Sequence, residues 1–147
     1  MTHPNYISQL LNSLDVDLTW QRDFYEDLHQ NPELSHHEER TAEKIAEKLR
    51  EFDCELITGI GGFGMAAIFR SESPGPVVLM RADFDALPVK EETGVDYAST
   101  NGNMHACGHD MHATSLLGAC AVLDSLRGAW SGTFIALFQP AEETSDG

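Results

Sequence analysis

Positive charge is scarce in this sequence of 147 residues, which has 9 Lys and Arg against 24 Asp and Glu and a formal net charge of −15. Nucleic acids and anionic membrane surfaces attract clustered cations, so neither is expected to be the main partner. The sequence therefore points to small molecules, metal cations or other proteins as partners.

Long apolar runs and a disulfide pattern are also absent. The longest uncharged apolar runs, 77–80 and 134–138, are far shorter than the roughly 20 residues that a membrane-spanning helix needs. The first residues have no cationic start followed by an apolar stretch, so no signal peptide is predicted. The three cysteines, at positions 54, 107 and 120, cannot all pair and follow no disulfide-framework spacing. We therefore expect a protein of the reducing cytoplasm.

The pattern of apolar residues predicts one α/β domain, which is also the usual number for this length. Helices are predicted at about 17–30, 36–52 and 109–127. Strands are predicted at 55–58, 64–70, 76–82 and 132–138. Ser35 with Glu38 predicts a capping box at the start of the second helix. The strands at 76–82 and 132–138 lack alternation, so we expect both of their faces to be covered.

Three short loop segments, each next to a predicted strand or helix, contain side chains of the kinds that bind metals. These residues are Asp83, Asp85, Cys107, His109, Asp110, Glu142 and Glu143. In open α/β sheets, ligands bind outside the carboxyl ends of the strands, where both acidic pairs are expected. Cysteine, histidine and carboxylate together suit zinc, and also cobalt or manganese. The glycine between Cys107 and His109 allows both side chains to approach one ion.

Each of these residues also has an ordinary structural explanation. A cysteine beside a helix is often a small buried hydrophobe, and Asp110 would be favoured in the first turn of a helix by the dipole. Adjacent glutamates commonly lie on a solvated surface. The other histidines considered, His29, His36, His37 and His112, are expected on the surface or hydrogen-bonded in the core. The combination of the three segments is therefore what favours a functional site.

Three motifs of the sequence resemble the N-terminal motifs of the M20 metallopeptidases, in particular those of the amidohydrolase branch, and they occur in the same order. They are Met80-Arg-Ala-Asp-Phe-Asp-Ala-Leu-Pro88, His105-Ala-Cys-Gly-His-Asp-Met-His112 and Phe138-Gln-Pro-Ala-Glu-Glu143. That branch includes hippurate hydrolases, N-acyl-amino-acid amidohydrolases, N-acetyl-diaminopimelate deacetylases and hydrolases of indole-acetyl amino acid conjugates. The resemblance implies a zinc-exopeptidase-like three-layer α/β domain with a central, mostly parallel mixed sheet, present here only in part.

The resemblance also implies a role for each motif residue. Cys107, His109 and Glu143 would be ligands in a site for two divalent metal ions, which would be zinc, manganese or cobalt. Glu142 would be the general base that acts on a metal-activated water to hydrolyse the amide bond of an N-acyl amino acid. Asp85 would orient one of the metal ligands without binding the metal itself.

Asp83 and the length of the chain depart from the family pattern. Asp83 stands where other branches carry a ligand histidine, so its role stays open. Family members are more than twice as long and have further ligand histidines and a lid domain that mediates dimerisation and binds substrate. We therefore expect residues 1–147 to be the N-terminal part of a metal-binding catalytic domain, with an open edge on the strand that ends at Phe138. The alternative is a catalytically inactive fragment that binds a metal weakly.

Overall fold

The structure of the protein is a computed structural model, which describes residues 8–9 and 12–147. Its elements are α1 (Trp20–Gln30), α2 (Glu39–Leu49), β1 (Glu55–Ile60), β2 (Gly64–Arg70), β3 (Val77–Asp83), α3 (His109–Ser125), a 3-10 turn (Arg127–Ala129) and β4 (Thr133–Gln139). All of the predicted helices and strands occur, with ends that differ by a few residues. The α/β class is therefore confirmed.

The four strands form one mixed sheet in the order β1-β2-β4-β3. Strands β1 and β2 are antiparallel, β2 and β4 are antiparallel, and β3 and β4 are parallel. A mixed sheet is confirmed, but the expectation of mostly parallel pairing is wrong for these strands. Only the connection from β3 to β4 contains a helix, and a parallel pair needs such a long crossover, whereas the short turn after β1 makes a hairpin.

The helices and the sheet share one apolar core, with helix α3 at the centre of the contacts between elements. Helix α3 contacts β3 and both other helices, and α2 contacts β2. The largest fully buried apolar side chains are Leu28, Ile45, Leu49, Met65, Phe69, Phe84, Leu117 and Phe138. Each such side chain contributes about 1.5–3 kcal/mol through burial. Across the residues described, no helix combines the length and apolar character that crossing a bilayer demands.

Strand β3 is an edge strand in the described part of the chain, with its apolar run uncovered. Val77, Val78, Leu79 and Met80 are 67, 51, 54 and 52% exposed, and only Ala82 and Asp83 of this strand are buried. The expectation that both faces are covered is therefore wrong here, because α3 covers only the carboxyl end of β3. The open edge predicted for β4 is also wrong, since β4 lies between β2 and β3.

The start of α2 is held differently from the predicted capping box. The Ser35 hydroxyl donates to Asp85 Oδ2 (2.7 Å), and the Glu38 side chain is fully buried. The Thr41 backbone N–H instead donates to Glu33 Oε2 (2.6 Å), so a carboxylate from the preceding turn satisfies this helix end. Ser35 and Glu38 are thereby free to contact the segments that follow β3 and β4.

Candidate metal centre

Asp85 joins three segments at the carboxyl end of the sheet. Asp83 is the last residue of β3, and both aspartates are at most 3% exposed. Asp85 Oδ2 accepts hydrogen bonds from the Ser35 hydroxyl (2.7 Å) and from the Glu143 backbone N–H (3.0 Å). Burial alone would raise the pKa of Asp85, but hydrogen bonds from His109, Glu143 and Ser35 outweigh it and hold the pKa well below its usual value. Asp85 is therefore a charged anchor that fixes the turn after β4.

His109 is supported on one ring nitrogen and open on the other. It is the first residue of α3 and 4% exposed, and its Nδ1 lies 2.9 Å from the Asp85 backbone oxygen and 3.1 Å from Asp85 Oδ1. Its Nε2 lies 3.5 Å from Asp83 Oδ2, 3.6 Å from Glu142 Oε2 and 3.7 Å from Glu143 Oε1. Burial alone would lower the pKa of His109, but Asp85 and Asp83 raise it. Proteins commonly orient a metal-binding histidine by a hydrogen bond from its other ring nitrogen to a carboxylate.

Cys107 lies just before this helix, at the exposed side of the cluster. Gly108 separates it from His109 with a φ of +80°, a left-handed conformation that side chains rarely adopt. The Glu143 carboxylate, which accepts a hydrogen bond from the thiol, and then burial raise the pKa of Cys107 to about 11. Since the thiolate is the form that binds metals, an ion has to displace this proton.

The two glutamates lie in a turn that is pinned on both sides. The Ala141 backbone N–H donates to the buried Glu38 Oε1 (2.7 Å), and the Glu143 backbone N–H donates to Asp85. Glu143 Oε1 is buried and has no hydrogen-bond partner among the residues that the structure describes, whereas the Glu142 side chain is 38% exposed. An unpaired buried carboxylate oxygen costs free energy. A cation beside Glu143 would remove that cost.

In the described part of the chain, two sets of three side chains bring possible metal-binding atoms within 4.8 Å of one another. One set is Cys107, His109 and Glu143, which are the three ligands that the resemblance implied. Their sulfur, nitrogen and oxygen atoms suit zinc, so these residues fit a divalent ion. The other set is Asp83, His109 and His112. The sequence analysis missed His112, although its spacing of three from His109 places both on one side of a helix.

Three histidines that the sequence analysis considered, His29, His36 and His37, belong to neither ligand set. His29 is buried, with Nδ1 2.6 Å from Asp110 Oδ2 and Nε2 3.0 Å from Glu91 Oε1, so it is a hydrogen-bonded core histidine. Asp110 therefore serves His29 rather than the ligand sets. His36 and His37 are exposed, as expected.

An apolar cavity of about 360 Å³ opens beside Glu143. Its apolar wall consists of Leu34, Ala86, Leu87 and Pro88. Glu143 thus adjoins a surface that can receive an apolar group of a ligand.

Residues 79–147 match the model of peptidase family M20/M25/M40. The chain is 42% identical over 123 residues to an N-acetylcysteine deacetylase of Bacillus subtilis, which covers 82% of the chain and 32% of that protein. It is 40% identical over 143 residues to an N-acyl-L-amino acid amidohydrolase of Geobacillus stearothermophilus, which covers 96% of the chain and 38% of that protein.

Among solved structures, the chain is similar to the Bacillus subtilis YXEP protein, a dinuclear metal-binding peptidase of the M20 family. The TM-score is 0.81 at 41% identity, over 86% of this chain and 36% of that one. The chain thus spans about a third of the length of the relatives that it matches.

Proposed function

We propose that this chain, which belongs to peptidase family M20/M25/M40, is the N-terminal part of the metal-binding domain of an enzyme that hydrolyses the amide bond of N-acyl amino acids. The observation that carries the proposal is the convergence of Cys107, His109 and Glu143, with an unpaired buried oxygen on Glu143. The similarity to an N-acetylcysteine deacetylase and an N-acyl-L-amino acid amidohydrolase supports the substrate class.

Cys107, His109 and Glu143 would hold a divalent ion, which would be zinc, manganese or cobalt. When bound, such an ion makes water more acidic and polarises an amide carbonyl. A catalytic zinc normally takes three protein ligands to itself, so three ligands do not satisfy two ions. We propose that a second ion of the dinuclear site, the substrate-binding lid and any dimer contact depend on residues that this chain does not supply.

Glu142 would be the general base of the reaction. Its carboxylate is partly exposed and lies 3.6 Å from His109 Nε2, next to the ligand set, so a water molecule can reach it. Glu142 would take a proton from the attacking water and return it to the leaving amine. Asp85 would keep His109 in position through its hydrogen bond to Nδ1, and the cavity beside Glu143 would receive the acyl group.

A small N-acyl amino acid is the proposed partner of this site, and the reducing cytoplasm is the proposed location. The net charge of −15 disfavours nucleic acid, and the three free cysteines agree with a reducing compartment. The alternative is an inactive fragment that retains a weak metal site, because the chain spans only about a third of its relatives.

Zinc binding to this 147-residue chain tests the proposal directly. We expect isothermal titration to show one bound ion, and Cys107→Ser and Glu143→Gln each to weaken its affinity by at least about tenfold. Glu92→Gln is the control, because Glu92 is exposed and outside both ligand sets. Equal affinity in all four proteins would contradict the ligand assignment. Turnover of an N-acetyl or N-benzoyl amino acid would exclude the inactive fragment.

A further inference from the structure

We propose that Asp83, His109 and His112 form a second metal position, which adjoins the Cys107 position and shares His109 with it. Its three possible ligand atoms lie within 4.8 Å of one another. This proposal shares His109 with the proposed function but requires neither Cys107 nor catalysis.

The distances place Asp83 between the two histidines of helix α3. Asp83 Oδ1 lies 2.8 Å from His112 Nδ1, and Asp83 Oδ2 lies 3.5 Å from His109 Nε2. The two imidazole rings are neighbours, with centroids 5.6 Å apart. Zinc–nitrogen and zinc–oxygen bonds are about 2.0–2.2 Å long. Ligand atoms that lie 2.8 and 3.5 Å from one another can therefore bind one ion after small movements of the side chains.

An ion from solution can reach this position. The His112 side chain is 54% exposed, and a groove of about 360 Å³ lined by Arg81, His112 and Ser115 opens beside it. Asp83 itself is buried, with only 5% of its side chain exposed. The position therefore combines a buried carboxylate with an accessible imidazole.

His109 can serve only one of the two positions at a time. Its Nδ1 is held by Asp85, so a single nitrogen, Nε2, is left for a metal. The Cys107 position offers a thiolate and a carboxylate, whereas the second position offers one carboxylate, and Asp83 Oδ2 is already paired with Arg81 Nη1 at 2.9 Å. The cation on Asp83 weakens the attraction for a metal ion. We therefore expect an ion to occupy the second position when Cys107 cannot bind it.

The ligands of the second position are two imidazoles and a carboxylate. This set lacks sulfur and suits zinc, cobalt or another divalent first-row ion. Cobalt(II) is the probe of choice, because its absorption spectrum distinguishes a site with a thiolate ligand from a site without one.

The test compares cobalt binding by the wild-type chain and three variants, followed by absorption and titration calorimetry. We expect the wild type to show thiolate-to-cobalt absorption. Cys107→Ser should still bind one cobalt ion, without that absorption. Adding His112→Gln to Cys107→Ser should weaken binding by at least about tenfold, whereas adding His37→Gln should not. His37 is a matched control because it is exposed and belongs to neither ligand set.

Two results would overturn the second position. Either Cys107→Ser binds no cobalt, or His112→Gln has no more effect than His37→Gln in that background. With thiolate absorption in the wild type, these results would leave the proposed function intact. A different result is that the wild type binds cobalt without thiolate absorption and that the single variant His112→Gln no longer binds cobalt. This result would remove Cys107 from the proposed function and support the second position.

Discussion

At the scale of single residues, Asp83 at the end of β3 and Asp85 two positions later each contact a histidine of helix α3. Asp85 contacts Nδ1 of His109, and Asp83 contacts Nδ1 of His112. A contact of this kind fixes the orientation of an imidazole ring. The site is therefore organised by hydrogen bonds between the segment that follows β3 and helix α3.

The Cys107 thiol should react slowly with an alkylating reagent at pH 8. Its pKa is raised to about 11, so little thiolate is present. In Glu143→Gln the acceptor of the thiol hydrogen bond loses its charge, so the pKa of Cys107 should fall. Each unit of decrease should raise the thiolate fraction about tenfold and speed the reaction by a smaller factor, because a thiolate of lower pKa is a weaker nucleophile. Mass spectrometry of the peptide with Cys107 measures the rate, with Glu92→Gln as control. An unchanged rate in Glu143→Gln would contradict the assigned cause.

The change Glu142→Gln should separate catalysis from metal binding. The assay needs a longer protein that contains this chain and matches its relatives in length. In that protein we expect turnover of an N-acyl amino acid to fall about 100-fold or more, which is the usual contribution of a general base. Metal content should stay close to that of the wild type, because Glu142 is in neither ligand set. Elemental analysis and a turnover assay check both expectations. Full activity in this variant would remove Glu142 from its role.

The sequence predicted the side chains of the site better than the contacts that support it. Cys107, His109 and Glu143 carry chemistry that is recognisable in a motif, and the structure brings them together. Ser35 and Glu38 matched a local capping pattern, yet both make contacts with distant segments. Spacing along the chain cannot reveal such a contact, because it depends on how α2 packs against the sheet.

At the scale of elements, the exposed part of β3 is the feature most open to self-association. Four consecutive apolar residues, 77–80, are each more than half exposed at the edge of the sheet. Edges of this kind pair with other chains unless charge or proline prevents it.

Leu79→Lys should therefore reduce the self-association of the isolated chain. A lysine on an edge strand opposes pairing with a second strand, because pairing would remove water from its charged ammonium group. We expect light scattering at increasing concentration to show a shift of at least about tenfold in the concentration at which association begins. Ile57→Lys on β1 is the control, since β1 is the other edge strand of the described sheet and Ile57 is 43% exposed. An equal effect of both changes would contradict a specific role of β3.

The loop after β3 is attached to the helices through His29. Burial alone would lower the pKa of His29, but its hydrogen bonds to Glu91 and Asp110 raise it above the usual value. A raised pKa in the folded state means that this stabilisation is complete below a pH of about 6.5 and is lost as the pH rises through the folded-state value.

His29→Gln should accordingly remove part of the pH dependence of stability. For the wild type, we expect the free energy of unfolding in urea to fall as the pH rises from about 6 to 9. His29→Gln should be less stable at pH 6 and show a smaller fall. His37→Gln, on the exposed surface, should keep the wild-type profile. Parallel profiles for wild type and His29→Gln would contradict the assignment.

The elements themselves were predictable, whereas their neighbours in the sheet were not. The apolar run of β3 is typical of a strand covered on both faces, and the sequence analysis placed it accordingly. In the described residues its outer edge has no partner, because β4 inserts between β2 and β3. Strand order depends on long-range pairing and not on any local pattern. The uncovered run agrees with the proposal that the chain is part of a larger domain.

At the scale of the whole molecule, a metal ion that binds only the folded chain should stabilise it. Zinc at about 100 times its dissociation constant would add about 2.7 kcal/mol to the free energy of unfolding, which is a rise in Tm of roughly 5–10 °C for a chain of this size. Calorimetric scans with zinc, and then with a chelator, measure the shift and its reversal. The double variant Cys107→Ser/His112→Gln should lose most of the shift, and a full shift in that variant would contradict both metal positions.

The route of the chain through the sheet also determines when the centre can form during synthesis. Asp85 and the Glu143 backbone are in contact, although they are 58 positions apart in sequence. The intervening segment contains Cys107, His109 and all of α3. On the ribosome, Asp85 therefore emerges long before Glu143, and β4 must pair beside β3 before the set of Cys107, His109 and Glu143 is complete. Unlike a short zinc-binding loop that folds around its ion, the Cys107 position cannot recruit a metal to start folding, so its metal loading should follow the long-range pairing of the sheet.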